Sequence, residues 1–305
     1  MTEEAEEPAK ETVMPAKEAK PETTKEVAEE AKSVSAVPLP TRSLVQLVVF
    51  VLDGSKSMDW SVNGKQKSAM VKETLRNIVH YFKDESRWRK ETDTRGPGEN
   101  IFVQVVAFDT DVVKYFDDFV RMIELPEDKI VSPTDKIRST LKRTNKGTTI
   151  SVGLRSAWDS LGEFIKKREL DINRIYRPTI ILLSDGCTNK SDRQPLLQLS
   201  EELLKLYQVF VIEFGETGTT VTPGEAPGAA PDFHRQSCPE ILMKVASPLD
   251  PGLLQKIKRV GQKVDSEVKV EQLFQGNRGY IRTLDEKHLR VIFITMTTLQ
   301  MVRGK

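Results

Sequence analysis

From residue 44 onward, short apolar runs take turns with longer stretches in which apolar residues recur every three or four positions. The runs are residues 44–52 (LVQLVVFVL), 101–108 (IFVQVVAF), 178–184 (PTIILLS) and 208–214 (QVFVIEF). They are short, rich in Val and Ile and nearly unbroken, which predicts strands buried on both faces of a parallel sheet. After residue 108, Asp109 and Thr110 make a short turn into VVKYF at 112–116, a hairpin whose more polar, alternating pattern suits a sheet edge. GYIRT at 279–283 is a last short strand.

The helical spacings fall between these runs. Val71, Leu75, Ile78 and Phe82 mark a helix over 66–83, and Ile150, Leu154, Trp158, Leu161 and Ile165 mark one that starts near Thr148. Pro195 opens a third, bearing Leu196, Leu199, Leu203 and Leu206. Asp250 and Pro251 read as the cap and first residue of a fourth, with Leu254, Ile257 and Val260, and Asp285 caps a fifth, with Leu289, Ile292, Phe293, Met296 and Leu299. A connection containing Pro126 and Pro133, and a Gly- and Pro-rich insertion at 215–249, carry neither pattern. The order β-α-β-β-α-β-α-β-α-β-α predicts an α/β fold: a doubly wound, mostly parallel, Rossmann-like sheet with one antiparallel edge strand.

Composition divides the chain. Residues 1–40 are rich in Glu, Lys, Ala, Pro and Thr and almost lack aliphatic residues, so they cannot bury enough apolar surface to offset their ordering entropy. They are expected to be a disordered charged tail, with a segment that folds on a partner as the alternative. Residues 41–305 form the predicted domain. Over the 305 residues, 46 Lys plus Arg face 45 Asp plus Glu, a net charge of +1 that makes nucleic acid an unexpected partner. The acidic start MTEEAEEPAK does not have the basic and apolar regions of a secretory signal, and no run reaches the roughly 18 apolar residues of a membrane span. Two cysteines, Cys187 and Cys238, fit a reducing compartment. A cytoplasmic location is the expectation.

In a doubly wound sheet, ligands sit beyond the carboxyl ends of the strands. The loop after residue 52 reads Asp53-Gly54-Ser55-Lys56-Ser57-Met58, which puts a carboxylate and two hydroxyls at alternate positions. Lys146-Gly147-Thr148-Thr149 adds a hydroxyl where a helix begins, and Ser184-Asp185-Gly186 adds a second carboxylate at the end of another strand. Hard oxygen donors of this kind suit Mg2+, with Mn2+ or Ca2+ as substitutes. His80, His234 and His288 are scattered, so zinc has no support. Taken singly, each of these Ser, Thr and Asp residues would most often be a loop or cap residue; it is their joint placement that points to a metal.

These blocks resemble the von Willebrand A family. Its metal-ion-dependent adhesion site has an Asp-x-Ser-x-Ser loop, a Thr after Gly and a later Asp-Gly, and Asp53, Ser55, Ser57, Thr148 and Asp185 match it in chain order. The resemblance runs over about residues 44–299. It implies that these five residues hold one divalent metal, Mg2+, and that a protein ligand offering an acidic side chain completes its shell. Lys56 stands where the family often has Gly. Cys187, two residues past Asp185, reads as a packed cysteine or as a redox-sensitive rim. The 215–249 insertion is expected to overhang the metal face and shape partner choice, with a disordered surface loop as the alternative. Ser86–Asn100, with Arg87, Arg89, Lys90 and Arg95, reads as a solvated basic loop on the opposite edge.

The function this implies is a metal-dependent protein-binding module or scaffold in an intracellular multiprotein complex, and not an enzyme. The GTT and SDG blocks look similar to the tellurite-resistance-associated branch of the family. Two alternatives belong to other classes. One is a Mg-dependent phosphohydrolase using Asp53, although such enzymes usually carry a second Asp where Ser55 stands and the chain has no G-x-x-x-x-G-K-[ST] loop. The other is a structural subunit whose metal only stabilises the fold.

Overall fold

The four apolar runs are the centre of the sheet. In the computed structural model, β1 (Gln46–Asp53), β4 (Ile101–Phe108), β7 (Thr179–Ser184) and β8 (Gln208–Phe214) are buried at every position. The structure describes residues 44–91, 100–142, 147–171, 175–186, 188–214 and 238–299, with the side chains of 87–91 and 238 excepted. The expected tail at 1–40 lies outside them.

Between β1 and β4 come a small hairpin, β2 (Ser61–Val62) and β3 (Lys65–Gln66), and helix α1 (Lys67–Glu91). After β4 follow β5 (Val112–Lys114), β6 (Val120–Arg121), α2 (Pro133–Leu141) and α3 (Ile150–Lys167). The chain then runs through β7, α4 (Arg193–Leu206), β8, α5 (Cys238–Val245), α6 (Pro251–Val264), β9 (Phe274–Gln275), β10 (Tyr280–Thr283) and α7 (Glu286–Thr298).

The main sheet has the order β5-β4-β1-β7-β8-β10-β9, with β6 also pairing with β4. The five strands from β4 to β10 are mutually parallel. β5 is the expected antiparallel edge. β9 is antiparallel too and closes the other edge, and β6 pairs antiparallel with the opening of β4. Among the parallel strands the chain first steps from β1 to β4 on one side, then to β7 on the other. The winding reverses at β1, and β1 and β7 border the crevice where such sheets bind ligands.

Helices cover both faces. Phe50 on β1 stacks on Phe293 of α7 at 5.2 Å, in a core shared with Val71, Ile78 and Phe82 of α1. The helix expected after Asp285 is therefore a core helix, and no helix among the described residues is long and apolar enough to cross a membrane. On the other face Phe164 of α3 packs against Phe102 of β4 at 5.7 Å. The caps expected at Asp250 and Asp285 are present: Leu253 N donates to one carboxylate at 2.8 Å and His288 N to the other at 3.1 Å.

Three helices depart from the sequence pattern, and the short strands β2, β3, β6 and β9 are not predicted by it. The connection around Pro133 contains α2, which Ser132 opens by accepting a bond from Asp135 N at 3.2 Å. The end of the 215–249 insertion is helix α5, because Leu242 and Val245 are buried; residues 215–237 lie outside the described residues. The first helix runs on to Glu91, so the stretch read as a loop from Ser86 begins as helix.

Candidate metal centre

Asp53 is the last residue of β1, in register with Phe108 of β4. It is fully buried. Ser55 N donates to its Oδ1 at 2.8 Å and the Ser184 hydroxyl donates to its Oδ2 at 2.6 Å. Gly54 N donates to Phe108 O at 2.7 Å, one bond past the last strand residue, before the chain leaves β1. The turn passes hard against α2: a Cβ on Gly54 would lie 2.9 Å from Pro133 O and 2.7 Å from Ile137 Cγ1, so only glycine fits.

Past that turn the backbone coils into a 3-10 turn at Lys56–Asp59, with Met58 buried beneath it. This places Ser55 Oγ 3.0 Å from Ser57 Oγ, and Ser57 Oγ donates to Asp185 Oδ1 at 2.8 Å. Asp185 follows β7 directly, so its carboxylate meets the serine loop across the β1–β7 crevice. Ser184, Asp53, Ser55, Ser57 and Asp185 thus form one continuous series of contacts over two neighbouring strand ends. Burial, and then the nearby Asp185 charge, push Asp53 up to about 7 from an ordinary 3.8, against the opposing hydrogen bonds from Ser184 and Ser55.

Thr148 reaches the same edge through its backbone. Its carbonyl accepts from Asn189 N at 2.7 Å and from Thr188 Oγ1 at 3.3 Å. No hydrogen bond joins its hydroxyl to the other four residues. The start of α3 beside it is capped from outside the helix: Ile150 N donates to Thr188 Oγ1 at 3.1 Å, and Ser151 N donates to Asp192 at 3.1 Å. Thr149, at the cap position itself, makes no side-chain cap bond.

Two contacts at the site have no counterpart in the sequence reading. One is Ser184, which reads as the end of a strand. The other is Lys67, the first residue of α1, whose ammonium lies 2.6 Å from Asp185 Oδ2, with side chains 12% and 2% exposed respectively. The Trp60 ring centroid is 5.8 Å from the same ammonium. Lys56 is exposed, and Cys187 lies outside the described residues.

The donor chemistry fits a hard divalent cation: the Ser55 and Ser57 hydroxyls and the Asp185 carboxylate are linked in series, and the Asp53 carboxylate joins them by accepting from Ser55 N. Among the described residues no three His, Cys, Asp or Glu side chains gather into a metal-ligating group, so any ion here depends on serine oxygens and added ligands as well as on carboxylates.

Residues 48–188 match the family model of the von Willebrand factor type A domain. The matched VWA segment contains Asp53, Ser55, Ser57, Thr148 and Asp185 and stops just beyond β7. No curated protein matches the chain. Among solved structures it is similar to a von Willebrand factor type A protein from Catenulispora acidiphila, at 15% identity and a TM-score of 0.45, over 84% of this chain and 42% of that one. It is also similar to the PilB minor pilin from Streptococcus sanguinis, at 14% identity and a TM-score of 0.48, over 86% of this chain and 63% of that one. The pilus adhesin SpaC from Lactobacillus rhamnosus GG gives 10% identity and a TM-score of 0.47, over 84% of this chain and 30% of that one in its open conformation. The chain spans less than two thirds of each of these three proteins.

Proposed function

We propose that the chain is a protein-binding module that holds one divalent metal, Mg2+ by preference, at the carboxyl edge of β1 and β7, and that it serves an intracellular multiprotein complex. The observation that carries this is the linked set Asp53–Ser55–Ser57–Asp185, four oxygen-bearing side chains from two strand ends that border the winding reversal. Domains of the VWA type bind other proteins, and the site lies at the carboxyl ends of β1 and β7, where sheets of this kind bind ligands. The metal would supply a positive centre that a partner's carboxylate can bind. Asp53 and Asp185 would hold it by charge, Ser55 and Ser57 by their hydroxyl oxygens, and Thr148 would contribute its hydroxyl from the start of α3.

Calorimetric titration with Mg2+ and Mn2+, wild type beside Asp53→Ala, tests the reading. One saturable site that is lost in the variant, together with capture of a partner by metal-loaded protein but not by the variant, supports it. Capture that survives Asp53→Ala overturns it. A metal that raises Tm while partner capture is indifferent to it favours a purely structural ion.

A further inference from the structure

Both carboxylate oxygens of Asp185 are engaged. Oδ1 accepts from Ser57 at 2.8 Å, and Oδ2 accepts from the Lys67 ammonium at 2.6 Å. Lys67 is well buried for a lysine, and removing one partner of a buried ion pair leaves the other charge uncompensated. The formal charges sharpen the point. With both aspartates ionised, Lys67 leaves the centre one negative charge in excess. A divalent ion added beside Lys67 would leave one positive charge in excess, whereas the same ion with Lys67 withdrawn balances both carboxylates. Like charges a few ångströms apart in a partly buried site repel by several kcal/mol.

We propose that Lys67 is the resident counter-cation of this centre, which a divalent ion must displace, so that this lysine sets the metal affinity. The inference rests on the metal reading above. The local build permits the exchange. Lys67 N donates to Trp60 O at 3.2 Å, so the backbone stays fixed while the four-carbon stem moves. Trp60 is 56% exposed, and its ring gives the departing ammonium an aromatic face beside the site.

The test is Mg2+ calorimetry on the full chain as wild type, Lys67→Met and Lys67→Arg, with thermal melting in metal-free buffer and in Mg2+. Lys67→Met is expected to bind Mg2+ on the order of tenfold or more tighter than wild type. Lys67→Arg, which keeps the charge, should gain nothing. In metal-free buffer Lys67→Met should melt below wild type and recover more on addition of Mg2+. Should Lys67→Met fail to fold without metal, Lys67→Gln, a neutral donor to Asp185, replaces it in the same comparison. Binding by the neutral variant where wild type shows none also supports the proposal. Equal affinity in wild type, Arg and neutral variants overturns it and leaves the metal reading standing. No saturable binding in any of them overturns both.

Discussion

The Ser184 hydroxyl crosses from β7 to β1 and donates to Asp53 Oδ2 at 2.6 Å, so one strand end orients the buried carboxylate of its neighbour. Ser184→Ala removes that donor and leaves a buried carboxylate oxygen without a partner. The expected cost is about 1–3 kcal/mol of stability, read by chemical denaturation. Because ligands are aimed by the groups behind them, Mg2+ affinity should also fall by about 10-fold or more. A loss of stability with unchanged Mg2+ affinity would separate Ser184 from the metal's orientation.

Asp53 offers a pH test. Its folded value of about 7 exceeds the ordinary 3.8, with burial as the main cause. The folded state therefore holds this proton more tightly than the unfolded chain does. The resulting contribution is full below the unfolded value and is lost as pH rises through about 7. In metal-free buffer Asp53→Asn should melt above wild type at alkaline pH, with the gap shrinking towards mildly acid pH. Mg2+ should raise the Tm of wild type only. An Asn variant that melts below wild type at alkaline pH would show that the ionised carboxylate is not a burden to the metal-free fold.

Gly54 is fixed by space. Gly54→Ala places a methyl group against Pro133 O and Ile137, and backbone cannot yield as a flexible side-chain tip can. The expected loss is about 1–3 kcal/mol, together with weaker metal binding, since α2 or the serine loop must shift. Mg2+ calorimetry beside a denaturation curve checks both effects.

Asp192 caps α3 from another loop by accepting from Ser151 N and from the hydroxyls of Ser151 and Thr188. Asp192→Ala should cost about 1–2 kcal/mol, as for a lost helix cap. Amide exchange should rise at 150–151 and spare β1. Exchange that is unchanged at these positions would show that Thr188 alone holds the helix start.

The parallel strands are legible because burial on both faces writes itself as unbroken apolar runs, and the caps at Asp250 and Asp285 because a short acceptor just before a helix has one ordinary use. Helix α2 escaped for want of periodicity: in nine residues only Pro133, Thr134 and Ile137 are buried. Its signal was Ser132-Pro133 followed by Asp135, a cap with proline at the first helical position. β9 is two residues long and carries no readable period. At the site, Asp53, Ser55, Ser57 and Asp185 share a spacing that sequence can display. Lys67 has none; it is one of 46 basic residues, and only the fold, which sets the first residue of α1 near the end of β7, brings it to Asp185.

Asp53 ends β1 and Asp185 follows β7, strands that are neighbours in the sheet, with α1, β4, α2 and α3 lying between them in the chain. A chain that has closed only β1 on β4 has the serine loop but not Ser184, Asp185, or the Thr188 and Asp192 caps that place Thr148. Until β7 docks, Asp53 can stay hydrated and inexpensive. The pairing of β1 with β7 both buries this carboxylate and supplies its Ser184 donor, so the centre depends on a contact between residues 131 positions apart in the chain.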